Sequence, residues 1–246
     1  MLSFIVPAYN EELELPRALA AIRAAAEASL QPFEIIVVDD ASTDATAQIA
    51  QSAGATVLSV NYRQIAAVRN AGARAATGDV FIFVDADTFI LPAHVAGVRA
   101  ALAAGCAGGG ARITIDGSIP LWGRVFVRIF SALYFAAANL GAGAFLFTTR
   151  ENFEAIGGFD ERCFAGEEFY FTRALKKCGR FRLLIDPVAS SGRKLRMYSA
   201  RQVLGGLVGI MLRGKRAVRS RDRLDIWYDG KRETEISKST GGTARG

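Results

Sequence analysis

Two apolar runs in this chain end abruptly in carboxylates. Val80-Phe81-Ile82-Phe83-Val84 leads into Asp85-Ala86-Asp87, and Glu34 to Val38 leads into Asp39-Asp40-Ala41-Ser42-Thr43-Asp44. Runs of this length read as strands buried on both faces of a sheet. The carboxylates would then stand at the strands' carboxyl ends, where open α/β sheets bind ligands. With Ala86 between them, Asp85 and Asp87 point to the same side of an extended chain. Two hard oxygen donors side by side suit Mg²⁺ or Mn²⁺ bridging to phosphate oxygens, although a polar strand exit is the plainer reading of D-x-D taken alone. A third acidic pair, Glu167-Glu168 after Gly166, opens a stretch whose Phe171, Leu175 and Cys178 repeat at helical spacing. Stepping back three or four residues puts both glutamates on that inward face at the helix N-terminus, where acids also complement the helix dipole.

The elements that must position these groups alternate. Leu2 to Val6 is an apolar run closed by the loop Pro7-Ala8-Tyr9-Asn10-Glu11, and Leu15, Leu19 and Ile22 mark a helix with Pro16 in its first turn. A helix from Ala45 to Ala53, a strand from Thr56 to Val60 and a helix from Ile65 to Ala76 carrying Arg69, Asn70 and Arg74 follow, before the strand that begins at Val80. Strand and helix alternating in this way predict a parallel sheet with right-handed crossovers. Beyond Asp87 the pattern predicts a helix from Pro92 to about Ala104 and a Gly-rich strand from Cys106 to Ile115. The charge-free stretch from Ile129 to Thr149 has the length of a membrane span, but Asn139, Gly141 and Gly143 interrupt it, and a helix followed by a core strand from Gly141 to Phe147 is the reading adopted. Thr148 to Glu151 has the form of a capping box, Gly157-Gly158 ends the short helix it opens, and Phe181 to Ile185 is a last strand.

At 246 residues, 51% of them hydrophobic and 22% charged, the chain is long enough for a sizeable core. Three cysteines without a C-x-x-C pair argue against a disulfide framework or zinc site. With no basic leader before Leu2, the expectation is a cytoplasmic protein. The basicity is local. From Arg193 to Arg223 ten basic residues face the single acid Asp222, a net of +9, which leaves −3 for the rest of a chain whose formal net charge is +6. Val203 to Leu212, inside that segment, is too short to span a bilayer and reads equally as a helix lying on an anionic membrane at its inner face or as one packed on the body.

Six motifs now stand in order: Pro7-Ala8-Tyr9-Asn10-Glu11, Val37-Val38-Asp39-Asp40-Ala41-Ser42-Thr43-Asp44, Arg69-Asn70-Ala71-Gly72, Asp85-Ala86-Asp87, Gly157-Gly158-Phe159-Asp160-Glu161 and Gly166-Glu167-Glu168. In order and approximate spacing they resemble the family 2 glycosyltransferases, inverting enzymes of the GT-A fold, over roughly residues 2 to 186. The resemblance implies an α/β fold with a Rossmann-like, mostly parallel central sheet flanked by helices. It implies transfer of a sugar from a UDP- or GDP-linked donor with Mn²⁺ or Mg²⁺ as cofactor. Tyr9 would stack on the base, Asp40 would bond its edge, Asp39 would support that loop, and Pro7 and Glu11 belong to the same donor loop. Arg69 would face base or phosphates, Asp85 ribose or metal, and Asp87 would ligate the metal. Glu168 would be the general base, with Glu167 the other candidate. His94 reads as a surface or packed histidine rather than a metal ligand. Ser190 to Lys194 would form a closing loop, with Arg193 or Lys194 reaching the diphosphate.

The expected organisation is a catalytic domain at 1–192, made of a nucleotide-binding half at 1–90 and an acceptor half at 91–192, then a basic and apolar helical region at 193–230 and a disordered tail at 231–246. The first loop lacks the glycine pattern of dinucleotide enzymes and the basic Gly-rich loop of nucleotidyltransferases. No nucleic-acid motif accompanies the basic segment, so nucleic acid is not an expected partner. The alternative class is a non-catalytic nucleotide-sugar or peripheral membrane-binding protein. The acceptor is not readable, and membrane contact would favour a lipid-linked one.

Overall fold

The computed structural model describes residues 1–117, 121–131 and 139–192. The basic segment, the tail, Arg193 and Lys194 lie outside these residues. Among the described residues the sheet has eight strands: β1 (Leu2–Ala8), β2 (Phe33–Asp40), β3 (Thr56–Val60), β4 (Val80–Val84), β5 (Thr88–Phe89), β6 (Cys106–Asp116), β7 (Phe145–Thr149) and β8 (Arg180–Ser191). The helices are α1 (Leu15–Glu27), α2 (Thr46–Ser52), α3 (Ile65–Ala75), α4 (Pro92–Ala103), α5 (Leu121–Ser131), α6 (Arg150–Ala155) and α7 (Glu167–Cys178).

Strand order is β3-β2-β1-β4-β7-β6-β8-β5. The first four strands are parallel neighbours, as the crossover pattern requires. In the second half β7 runs antiparallel to both β4 and β6, β5 is antiparallel to β8, and β6 is parallel to β8. Alternation along the strands sorts side chains to two cores. Phe4, Val6, Ile82 and Val84 face α1 and α4 residues such as Leu19, Ile22, Val95 and Val98. Ile5, Phe81 and Phe83 face Val68 of α3 and Phe171 and Leu175 of α7. The sheet is thus sandwiched between helices, and its central strands are apolar on both faces for that reason.

Helix α3 comes unusually close to the sheet at Gly72. A Cβ there would lie 2.4 Å from Ile5 Cγ2 and 2.8 Å from Val38 Cγ2, both buried. Gly72→Ala is therefore expected to lower stability by about 1–3 kcal/mol through overpacking, read as a reduced urea midpoint at unchanged slope.

Several local expectations need correction. Pro7 is not in a loop: it is buried inside β1, whose pairing with β4 stops at Ile5, so the missing N–H interrupts no ladder bond on that side. Asp85 to Asp87 do not continue an extended strand. Thr88 N–H donates to the Asp85 carbonyl at 2.9 Å, which folds the D-x-D into a turn between β4 and β5. The cap of α6 is Thr149, which accepts from Asn152 N–H, one residue later than expected. Cys178 is exposed rather than on the buried face of α7. Ser190 and Ser191 are not a free loop but the end of β8, paired with Thr88 and Asp116.

Candidate active site

The parallel strands end level with one another. Ala8 pairs with Asp39 and Asp40 with Val60, so Tyr9, the two aspartates and the β3–α3 loop share the carboxyl edge of the sheet. Between β1 and β4 the strand order reverses, the position where such sheets open a crevice.

The loop after β1 is stitched to the loop after β2. Asn10 N–H donates to Ser42 Oγ (2.9 Å), Thr43 N–H to Asn10 Oδ1 (2.8 Å), and Glu11 N–H to Thr46 Oγ1 (2.7 Å). Asn10 and Ala41 take the left-handed backbone conformation at φ 51° and 59° to make these turns. Asp39 Oδ1 accepts from Ser42 N–H at 3.3 Å. Asp40 Oδ1 reaches the other way and accepts from Tyr62 N–H (2.7 Å) and Arg63 N–H (3.0 Å), bracing the β3–α3 loop. That brace lays the Arg63 guanidinium 3.6 Å over the Tyr9 ring. Sequence reasoning passed over Arg63. Its signal was positional, since it follows a parallel strand at the ligand-binding edge.

Arg69 is the centre of the site. Its guanidinium is 2% exposed and bonds three separate segments: Glu167 Oε1 at 2.5 Å, Asp85 Oδ1 at 2.8 Å and the Gly143 carbonyl at 3.0 Å. Gly143 permits the approach, because a Cβ there would sit 2.9 Å from Arg69 Nη2. Burial would lower the guanidinium's pKa, but Asp85, then Glu167 and Glu168, more than reverse this and hold it charged. Asp85 is half-exposed, whereas Glu167 is almost wholly enclosed. The two glutamates therefore differ. Glu167 is committed to an ion pair. Glu168 is partly open, and its carboxyl is pushed up to about 8, first by burial and next by repulsion from Glu167, with Arg69 only partly offsetting them.

The residue after Arg69 holds the segment that launches α7. Asn70 Nδ2 donates to the Phe159 carbonyl and to Glu161 Oε1, both at 2.9 Å, and Asn70 Oδ1 accepts from Phe159 N–H at 2.9 Å. Phe159 stacks on Phe171 of α7 at 4.0 Å between centroids. Gln64, next to Arg63, donates to the carbonyls of Glu161 and Cys163. The lead-in to α3 thus touches Asp40 at the end of β2 and Tyr9 on one side and the segment before the glutamates on the other. A cavity of about 840 Å³ opens beside the Asn70 latch, lined by Arg74, Tyr170 and Lys177 among others, but it includes none of Tyr9, Asp85, Glu167 or Glu168.

Asp87 is half-buried, and its carbonyl accepts from Ser191 N–H at 3.0 Å. Among the described residues no group of three or more His, Cys, Asp and Glu side chains gathers around one point. A donor set of one or two carboxylates still fits a small divalent ion that completes its shell with phosphate oxygens and water. His94 is no part of this edge: it is buried in α4, where its Nδ1 accepts from Leu91 N–H at 2.8 Å.

Known proteins share this fold. A mannosyltransferase from Pyrobaculum calidifontis, solved with GDP-Man and Mn²⁺, superposes with a TM-score of 0.63 at 20% identity, covering 93% of this chain and 67% of that one. Staphylococcus aureus TarS, solved with UDP-GlcNAc, superposes at 0.60 and 19% identity, covering 87% and 66%. Both place the chain in the GT-A fold. An undecaprenyl-phosphate 4-deoxy-4-formamido-L-arabinose transferase of Pseudomonas paraeruginosa is 39% identical over 95 residues, 35% of this chain. The matching protein of Pseudomonas fluorescens strain Pf-5 is 42% identical over 93 residues. These matches span under a third of the relatives' own length, 28% and 27%. The model described as glycosyl transferase family 2 matches residues 3–148, more than half of the sequence, and the chain belongs to that family.

Proposed function

We propose that this transferase is a metal-dependent, inverting enzyme that takes its sugar from a UDP- or GDP-linked donor. The observation that carries the reading is the Arg69 bridge, which joins a carboxylate at the donor edge, Asp85, to one at the start of α7, Glu167. Beside that bridge stands Glu168, half-buried and suited by its raised pKa to take a proton near neutral pH. Tyr9 receives the base, with Arg63 as the group already seated on its ring, and Asp39 and Asp40 brace the loops around it. Asp87, with Asp85, would hold Mn²⁺ or Mg²⁺, which when bound neutralises charge growing on the leaving diphosphate. Glu168 accepts the acceptor's hydroxyl or phosphate proton as that oxygen attacks the anomeric carbon. The bond to the diphosphate breaks on the opposite face, and the diphosphate leaves with the electron pair. Arg69 does not touch the donor in this scheme. It is a positioning residue that fixes Glu167, and through it the first turn of α7. The curated relatives' names support a polyprenyl-phosphate acceptor.

Melting in the presence of nucleoside diphosphates and their sugars tests this. Donor at a hundred times its dissociation constant is expected to add about 2.7 kcal/mol in the presence of Mn²⁺, and Asp87→Ala to remove the metal-dependent part. A shift from UDP or GDP that ignores both the metal and the substitution would overturn the metal assignment.

A further inference from the structure

Three of the large apolar side chains most open to solvent lie on one short helix. In α5, Leu121, Val125 and Ile129 are 75%, 51% and 56% exposed. Their spacing of four places them on a single stripe, and the exposed Arg124 and Arg128 run beside it. No aspartate or glutamate occurs between Asp116 and Glu151, so the segment carries positive charge only. An apolar stripe edged by arginines, with no acids nearby, complements an anionic lipid surface in both its hydrophobic and its charged parts. The eleven described residues of α5 are too few to cross a bilayer, and no described helix is long and apolar enough to do so.

The position of this helix gives the stripe a use. The chain leaves the sheet at Asp116, which pairs with Ser191, whose N–H in turn bonds the Asp87 carbonyl. It returns at Gly143, whose carbonyl bonds Arg69. The segment containing α5 is therefore anchored at both ends to residues touching the site. We infer that α5 lies in the headgroup layer of an anionic bilayer, with Leu121, Val125 and Ile129 inserted, and holds the acceptor side of the site against the membrane. The acceptor-side part of this inference rests on the transferase reading; the membrane contact does not.

The test is flotation of the full chain with phosphatidylcholine vesicles containing or lacking phosphatidylglycerol. The variants are the triple Leu121→Asp, Val125→Asp, Ile129→Asp and the double Arg124→Gln, Arg128→Gln. The wild type is expected to float with anionic vesicles, and the triple variant's bound-to-free ratio to fall at least about tenfold while its nucleotide-induced melting shift persists. The double variant should lose binding only to the anionic vesicles. The inference is overturned if the wild type floats with neither vesicle or if the triple variant floats as well as wild type, which would assign binding to residues 193–230. A lipid-free wild-type dimer that the triple variant converts to monomer also overturns it, by assigning the stripe to a second copy. Flotation with no nucleotide shift in any protein would instead count against the transferase reading.

Discussion

Glu168→Gln is expected to lower the turnover number by roughly 10²–10⁴ while leaving nucleotide affinity within twofold, because the amide keeps the shape and hydrogen-bonding reach of the side chain but cannot take a proton. Burial, with Glu167 next in weight, raises the Glu168 carboxyl to about 8. A base works in its ionised form, so wild-type kcat/KM should climb with pH to a half-maximum near that value, and the variant's residual rate should lack the rise. The same shift has an opposite effect on stability. Between the ordinary glutamate value of 4.5 and about 8, the folded chain holds a proton that the unfolded chain has released. Stability attributable to this group is thus fully present below 4.5 and is lost as pH rises through the window. Glu168→Gln should melt higher than wild type, by a margin that widens from pH 5 to pH 8. A margin independent of pH would show that the fold does not raise the Glu168 carboxyl, and would remove the expected half-maximum near 8.

Arg69→Met is expected to cost about 3–5 kcal/mol, because it strands Glu167 as a buried, unpaired carboxylate. For a chain of this size that is a fall in melting temperature of roughly 6–20 °C. Asp85 contributes less to this loss, since its half-exposed carboxylate can turn to water, whereas Glu167 is nearly closed off. Arg69→Lys should recover only part, because a single ammonium cannot serve partners that Nη1 and Nη2 reach separately. The decisive measurement is a double-mutant cycle in urea. Arg69→Met combined with Glu167→Gln should be more stable than Arg69→Met alone, and strict additivity would show that the pair is not coupled.

Much of the site was legible because strand ends are legible. The five-residue runs Leu2 to Val6, Glu34 to Val38 and Val80 to Val84, each stopping at a loop, pointed to the parallel half, and parallel strands must end on one edge. What was not legible depends on partners distant in sequence. The antiparallel return of β7 beside β4 is set by packing of the apolar Phe145–Phe147 run against both cores, and an apolar run carries no direction. Pro7 was read as a loop signal because proline usually is one; only the early end of the β1–β4 ladder makes room for it in a strand. Asp85 and Asp87 were aligned by assuming extended backbone, which the Thr88 turn replaces. The pairing of Arg69 with Glu167, rather than with donor phosphate, spans 98 positions and leaves no periodic trace. The same holds for Asn70 and the 157–161 segment.

The Arg69 bridge also bears on how such chains diverge. The stretch that identifies the family, residues 3–148, contains Arg69, Asp85 and Gly143 but stops short of Glu167. Ancestry is thus readable from a portion that holds the cation and only one of its two carboxylate partners. Because a buried charge without its mate is costly, positions 69 and 167 are constrained to drift together. A recombinant that joins the first portion of one such protein to the last of another inherits a working centre only where both parents supply matching charges at that junction.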